Sequence, residues 1–165
     1  MKTYVISPDT QKPVSLEEWA KDADPTRAEL LLVDTGEKRM LVRKSFFPGE
    51  HNFKDAQEIA AAYKPFPESP FAFRCPTRKE SLDLYDARFV GGLDEAVKLT
   101  GGNFCCDPDG NWFWTCEMDV DPRWLSRRYY ADYGWIFYGT NGTLTTSSVN
   151  GASRVQAVTL LTTDC

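Results

Sequence analysis

The pattern of the chain changes at Gly101-Gly102. Between residues 53 and 99, apolar side chains recur at helical spacing; beyond the glycine pair, turn dipeptides separate aromatic runs of strand character. Strand-like segments also precede the helices, at residues 3–6, 29–34 and 38–43. Mixed strands, then helices, then a series of antiparallel strands is an α+β arrangement. At 165 residues such a chain makes one domain, or one domain with an N-terminal appendage, and buries roughly 70% of its unfolded surface.

Local signals fix the elements. The first strand ends at Pro8-Asp9. Ser15-Leu16-Glu17-Glu18 has capping-box spacing, so a helix is expected from Ser15 to the Asp24-Pro25 break. Thr35-Gly36-Glu37 joins the next two strands as a hairpin, and the unbroken Leu30-Leu31-Leu32-Val33 predicts burial on both faces. Lys38, Arg39, Arg43 and Lys44 are expected on the solvated face of the second of these strands; Met40, Leu41 and Val42 between them argue against a nucleic-acid patch.

In the helical part, Phe53, Ala56, Ile59, Ala60 and Tyr63 fall on one face, and Pro65, Pro67 and Pro70 end that helix in an extended linker. Thr77-Arg78-Lys79-Glu80 is a second capping box, with Leu82, Tyr85 and Ala87 expected inward. A helix over 93–99 stops at Gly101-Gly102 as at a glycine C-cap. Asp109-Gly110 and Asn141-Gly142 are hairpin dipeptides. The second fits a type I′ turn, which outweighs Asn141-Gly142-Thr143 as a glycosylation acceptor.

Composition excludes several classes of function. Nineteen Lys and Arg against 24 Asp and Glu give a net charge of -5, and nucleic-acid and anionic-membrane binders need a basic footprint. A chain that is 42% hydrophobic and 13% aromatic is too apolar for disorder. No apolar run approaches a membrane span, and the start lacks the apolar region of a signal peptide, so synthesis in the cytoplasm without standard export is expected. The five cysteines, Cys75, Cys105, Cys106, Cys116 and Cys165, include no C-x-x-C pair and fit buried or half-buried reduced thiols. The single histidine, His51, lies in a loop composition and is expected exposed, which leaves histidine triads and multi-histidine metal sites little to work with.

Four ordered landmarks carry a resemblance. Arg74-Cys75-Pro76-Thr77-Arg78-Lys79-Glu80-Ser81-Leu82-Asp83-Leu84-Tyr85 resembles the R-x-P-T-x-x-E-x-x-x-L-Y element of the Lcl C-terminal domain family. Trp112-Phe113-Trp114-Thr115-Cys116-Glu117 is similar to the family's Y-W-S-S-T-E strand, Gly134-Trp135-Ile136-Phe137-Tyr138 to its A-W-x-x-x-F strand, and Arg154-Val155-Gln156-Ala157-Val158 to its closing V-R-x-V strand. Thr115-Cys116 stands where the family has Ser-Ser, and Gln156 where a basic residue is usual. The resemblance implies a C-type-lectin-like domain over 28–165, after an N-terminal strand-helix lead-in or attachment segment over 1–27. It gives Arg74, Pro76, Thr77, Glu80, Tyr85, Trp112, Trp114, Trp135 and Val155 structural roles, and Trp114 and Trp135 are expected in the core.

The segment 117–133 is too long for a hairpin turn, and loops of that length tend to be functional. It combines Arg123, Arg127 and Arg128 with Trp124, Tyr129, Tyr130 and Tyr133, residue types that suit sugars, acidic glycans or protein hot spots. The alternative reading caps the core with the aromatics and pairs the arginines with Asp119, Asp121 and Asp132. Asp107-Pro108-Asp109-Gly110-Asn111 lacks the spaced ligands of a calcium loop and is read as a plain turn. Relatives of the resembled family include formylglycine-generating and sulfoxide-forming oxidases, but the cysteine and histidine sets those need have no match here. The expectation is therefore a non-enzymatic recognition or structural module with no cofactor: a phage virion surface, fibre or decoration protein binding other virion or surface proteins, or a host-surface glycan, and forming a homo-oligomer. The alternatives are a bacterial structural or adhesin-type protein and, third, a metal-dependent enzyme on the same fold.

Overall fold

A computed structural model describes residues 1–106, 110–119 and 132–161. Strands β1 (Lys2–Ile6), β2 (Pro13–Ser15), β3 (Leu30–Asp34), β4 (Arg39–Arg43) and β8 (Val158–Leu161) form a sheet in the order β2-β1-β3-β4-β8. Every neighbouring pair in it is antiparallel, with Tyr4 opposite Leu32, Leu32 opposite Leu41 and Leu41 opposite Thr159. Strands β5 (Trp112–Asp119), β6 (Tyr133–Tyr138) and β7 (Thr143–Ser148) form a second, three-stranded sheet. Four helices accompany them: α1 (Leu16–Trp19), α2 (Phe53–Ala62), α3 (Arg78–Val90) and α4 (Leu93–Leu99). The arrangement is mixed α/β with two open sheets. The N-terminal 27 residues contribute β1, β2 and α1, and β1 pairs on both sides within the larger sheet.

Leu30 to Val33 are buried on both faces, as the unbroken apolar run predicts. Leu31 and Val33 pack with Leu84, Ala87, Leu93 and Val97 of α3 and α4, whereas Leu30 and Leu32 pack with Ala56 and Ala60 of α2. The large sheet is thus the middle layer between α3/α4 and α2. The small sheet closes both cores, sending Phe113 and Phe137 to one and Trp114 and Ile136 to the other. Trp114 is fully buried, edge-on to Phe53, and its Nε1–H donates to the His51 carbonyl at 2.7 Å.

The caps explain where the helices begin and end. Thr77 Oγ1 accepts the Glu80 N–H at 3.1 Å while Glu80 Oε2 accepts the Thr77 N–H at 2.8 Å, a complete capping box. Past α4, Gly101 takes φ +67°, and the N–H groups of Gly101 and Gly102 reach the carbonyls of Lys98 and Val97, closing the end as a Schellman motif.

Several expectations need correction. The first helix stops after Trp19, because the chain folds back so that the buried Trp19 indole donates to the Pro25 carbonyl at 2.9 Å and Arg27 stacks on its ring. Only half of the Ser15 box forms: Ser15 Oγ accepts the Glu18 N–H. In α3 the inward residues are Glu80, Ser81, Leu84 and Ala87, and Leu82 is exposed. Satisfied polar side chains at 80 and 81 shift the buried face away from the apolar pattern.

The β6–β7 connection is a four-residue loop over 139–142 with only Gly142 left-handed, not a type I′ turn. Residues 101–106 are turn and irregular chain, so no strand precedes Gly110 there. Lys44 is buried, donating to the carbonyls of Thr26 and Thr100, and Lys38 pairs with Asp83; these cations are not a solvated face. His51 is half-buried, bridged to Ser153, with its ring nitrogen against the Pro48 carbonyl. Of the described cysteines, Cys75 and Cys105 are buried, Cys116 is half-buried and Cys106 is exposed, all free.

Candidate functional site

Residues 74–76 lace the two sheets together. Arg74 and Val158 exchange both backbone hydrogen bonds, at 3.0 and 2.8 Å, on the outer side of β8. Two residues on, the Pro76 carbonyl accepts the Cys116 N–H of β5 at 2.9 Å. This fixes the N-terminus of α3 against the middle of β5, where the register breaks. Trp114 lies opposite Ile136 and Met118 opposite Gly134, so three residues of β5 face only Trp135. The bulge turns Glu117 toward the helix terminus.

Two ion pairs result. The Arg74 guanidinium meets Glu80 through two bonds of 2.7 and 2.8 Å, a bidentate fork. Glu117 Oε2 accepts the backbone N–H of Arg78 at 2.5 Å, one of the donors that a helix start leaves unpaired, and Oε1 accepts from the Arg78 side chain at 3.3 Å. So held, the Arg78 guanidinium lies over the Trp135 ring, 4.6 Å from its centroid. Trp135 is half-buried rather than in the core: Phe137, two residues on along the same face of β6, enters the core, whereas the Trp135 ring lies toward the strand's open end and packs against the Arg78 guanidinium. Its carbonyl accepts from Thr115 Oγ1 at 3.0 Å, while Gln57 of α2 donates to the Thr115 carbonyl at 3.0 Å.

The electrostatics match this geometry. The Arg78 backbone N–H, seconded by its guanidinium, lowers the Glu117 carboxyl below its ordinary range. Burial pushes Glu80 up, but the Arg74 fork and the Thr77 N–H outweigh it and hold Glu80 ionised below that range. Burial raises the Cys116 thiol against the pull of Arg74, and raises Cys75 to about 12. Neither thiol is an activated nucleophile. Among the described residues, no three His, Cys, Asp or Glu side chains are grouped to hold a metal ion.

The structure brings Arg74, Pro76, Thr77, Glu80 and Trp135 into this cluster and adds Tyr133, exposed at the start of β6. Tyr85 is elsewhere, packed on Phe89 and Phe137 beneath the β6–β7 loop; Trp112 stacks on Tyr138 at 4.6 Å; Val155 is buried and its carbonyl accepts the Phe47 N–H. Arg123, Trp124, Arg127, Arg128, Tyr129 and Tyr130 lie outside the described residues, as does most of the Asp107 turn. Sequence reasoning passed over Arg78 and Glu117 as a pair. Arg78 at the first helical position was the only local signal, since Glu117 arrives from 39 residues away.

No protein-family model matches the chain, and no curated protein matches it. No helix among the described residues is long and apolar enough to cross a membrane.

Proposed function

We propose that this chain is a non-enzymatic recognition module of C-type-lectin-like character, related to the Lcl C-terminal domain family. It serves as a phage virion surface, fibre or decoration protein that binds a glycan or protein partner through the 117–133 segment. The observation that carries the reading is the platform from which that segment leaves and to which it returns. Glu117, its first residue, and Trp135, two residues past its end, are tied together through Arg78, with Tyr133 exposed on the same strand as Trp135. A fixed guanidinium over a half-open indole, next to an exposed phenol, offers stacking faces and planar donors without the entropy of ordering long side chains on binding. The arginines and aromatics at positions 123–130 extend the same chemistry along the sequence.

Glycan-array and whole-cell binding of the purified protein tests this. The comparison set is a Trp124→Ala/Arg127→Ala/Arg128→Ala variant and, separately, Trp135→Ala. Binding lost in the triple variant and weakened in Trp135→Ala is the expected result. Binding indifferent to both sets, or none at all, refutes receptor binding by this face and leaves an assembly role.

A further inference from the structure

Each sheet has two outer strands, and three of the four are blocked. β2 is three residues long and starts with Pro13. β8 is paired on its outer side by Arg74, and β5 by Arg154 and Pro76. Among the described residues, nothing blocks the outer side of β7. It runs six residues, Thr143–Ser148, with no charge, no proline and no register break.

The register tells which of its backbone groups point outward. The Val149 N–H donates to the Asp132 carbonyl, and the pairs 147/134, 145/136 and 143/138 continue at alternate positions. Residues 143, 145 and 147 therefore bond to β6, whereas Leu144, Thr146 and Ser148 direct N–H and C=O away from the sheet. Among the described residues only the Ser148 carbonyl has a partner there, the Gly151 N–H. Proteins normally protect an edge of this length with lysine, proline, a bulge or a covering segment.

We infer that β7 pairs with β7 of a second copy of this chain, antiparallel about a two-fold axis at Thr146. Charge selects this occupant. In such a pairing each side chain faces its own symmetry-related set, so any charge placed on the axis would meet its like. In a chain that is 26% charged with a net charge of -5, this strand carries none, so two negative molecules can meet here without opposing like charges. The side chains are also self-complementary. Thr146 meets Thr146, a hydroxyl pair favoured across strands, and Leu144 meets Ser148. Leu144, Thr146 and Ser148 share a sheet face with Phe137, Trp135 and Tyr133, their partners on β6. The second copy's Leu144 thus lies across the small Ser148 from the exposed Tyr133. The product is one six-stranded sheet with the two Trp135 residues in line across it, about 14 Å apart at ordinary strand spacing.

Sedimentation velocity from low micromolar to a few hundred micromolar protein tests the pairing, with Thr146→Pro and Thr146→Lys as variants. Proline at 146 removes an outward N–H without touching the β6 ladder, and lysine sets a charge opposite itself. The expected result is a reversible dimer whose dissociation constant rises at least tenfold in each variant while the far-ultraviolet circular dichroism is unchanged. A wild-type monomer throughout the range, or a dimer indifferent to both substitutions, overturns the inference. If the proline variant does not fold, the lysine variant alone decides. Glycan binding is not the readout, so this result and that of the receptor test stand apart.

Discussion

Replacing Glu80 by alanine removes three short bonds at once: two from Arg74, at 2.7 and 2.8 Å, and one from the Thr77 N–H, at 2.8 Å. Loss of the cap bond costs about 1 kcal/mol. The Arg74 fork is worth less than the roughly 3–5 kcal/mol of a fully buried pair. The Glu80 side chain is 4% exposed but that of Arg74 is 39% exposed, so the stranded guanidinium regains water. About 2 kcal/mol is reasonable for it. The total, about 3 kcal/mol, lowers the melting temperature by roughly 6–12 °C for a domain of this size.

Glu80→Gln keeps one acceptor oxygen for the Thr77 N–H and one Arg74 nitrogen but loses the charge and the second bond of the fork, so it costs about half as much as alanine. The sign of the pH dependence follows from the carboxyl lying below its ordinary value of 4.5 in the folded chain. Its contribution is complete at neutral pH. As the pH drops below 4.5 the unfolded chain takes up the proton first, and the contribution is lost as pH falls through the depressed native value. Urea unfolding followed by tryptophan fluorescence at pH 7 and pH 3 is the assay, and the gap between wild type and Glu80→Gln should narrow at the lower pH. A Glu80→Ala cost under about 1 kcal/mol at pH 7, or a Gln gap that acid leaves unchanged, refutes the reasoning.

Other outcomes follow from packing and access. A methyl group on Gly134 would sit 2.6 Å from Phe53 Cδ2 and 2.8 Å from Trp114 Cζ3, so Gly134→Ala should destabilise by about 1–3 kcal/mol, with partial rescue by Phe53→Leu. Chemical denaturation of the single and double variants measures both. Among the described cysteines, maleimide labelling of the native protein should modify Cys106 first and Cys116 more slowly, leaving Cys75 and Cys105 until the chain unfolds; peptide mapping reads the order.

Much of the fold was legible because its signals are local. The Thr77 box, the helix over 93–99 with its glycine stop, the hairpin around Gly36 and the doubly buried Leu30–Val33 run each depend on a handful of neighbouring residues. What escaped depends on distance. Nothing near Lys44 announces that its ammonium is buried against Thr26 and Thr100, 18 and 56 residues away. The buried face of α3 was misplaced because Glu80 and Ser81 are buried polar residues satisfied by Arg74 and Thr77, which an apolar pattern does not register. The Arg78–Glu117–Trp135 stack needed the β5 bulge, and a bulge without glycine leaves little trace in sequence.

The place of β8 beside β4 also has a bearing on synthesis. Leu41 and Val42 wait for Thr159 and Val158, which leave the ribosome more than a hundred residues later. At ordinary elongation rates that is a delay of roughly ten seconds. Throughout it the β3–β4 hairpin, among the most apolar stretches of the chain, has an open edge on a nascent polypeptide. Vulnerability to misassociation should be greatest in that interval, and a holdase that shields residues 39–43 until β8 emerges should raise the yield of folded protein.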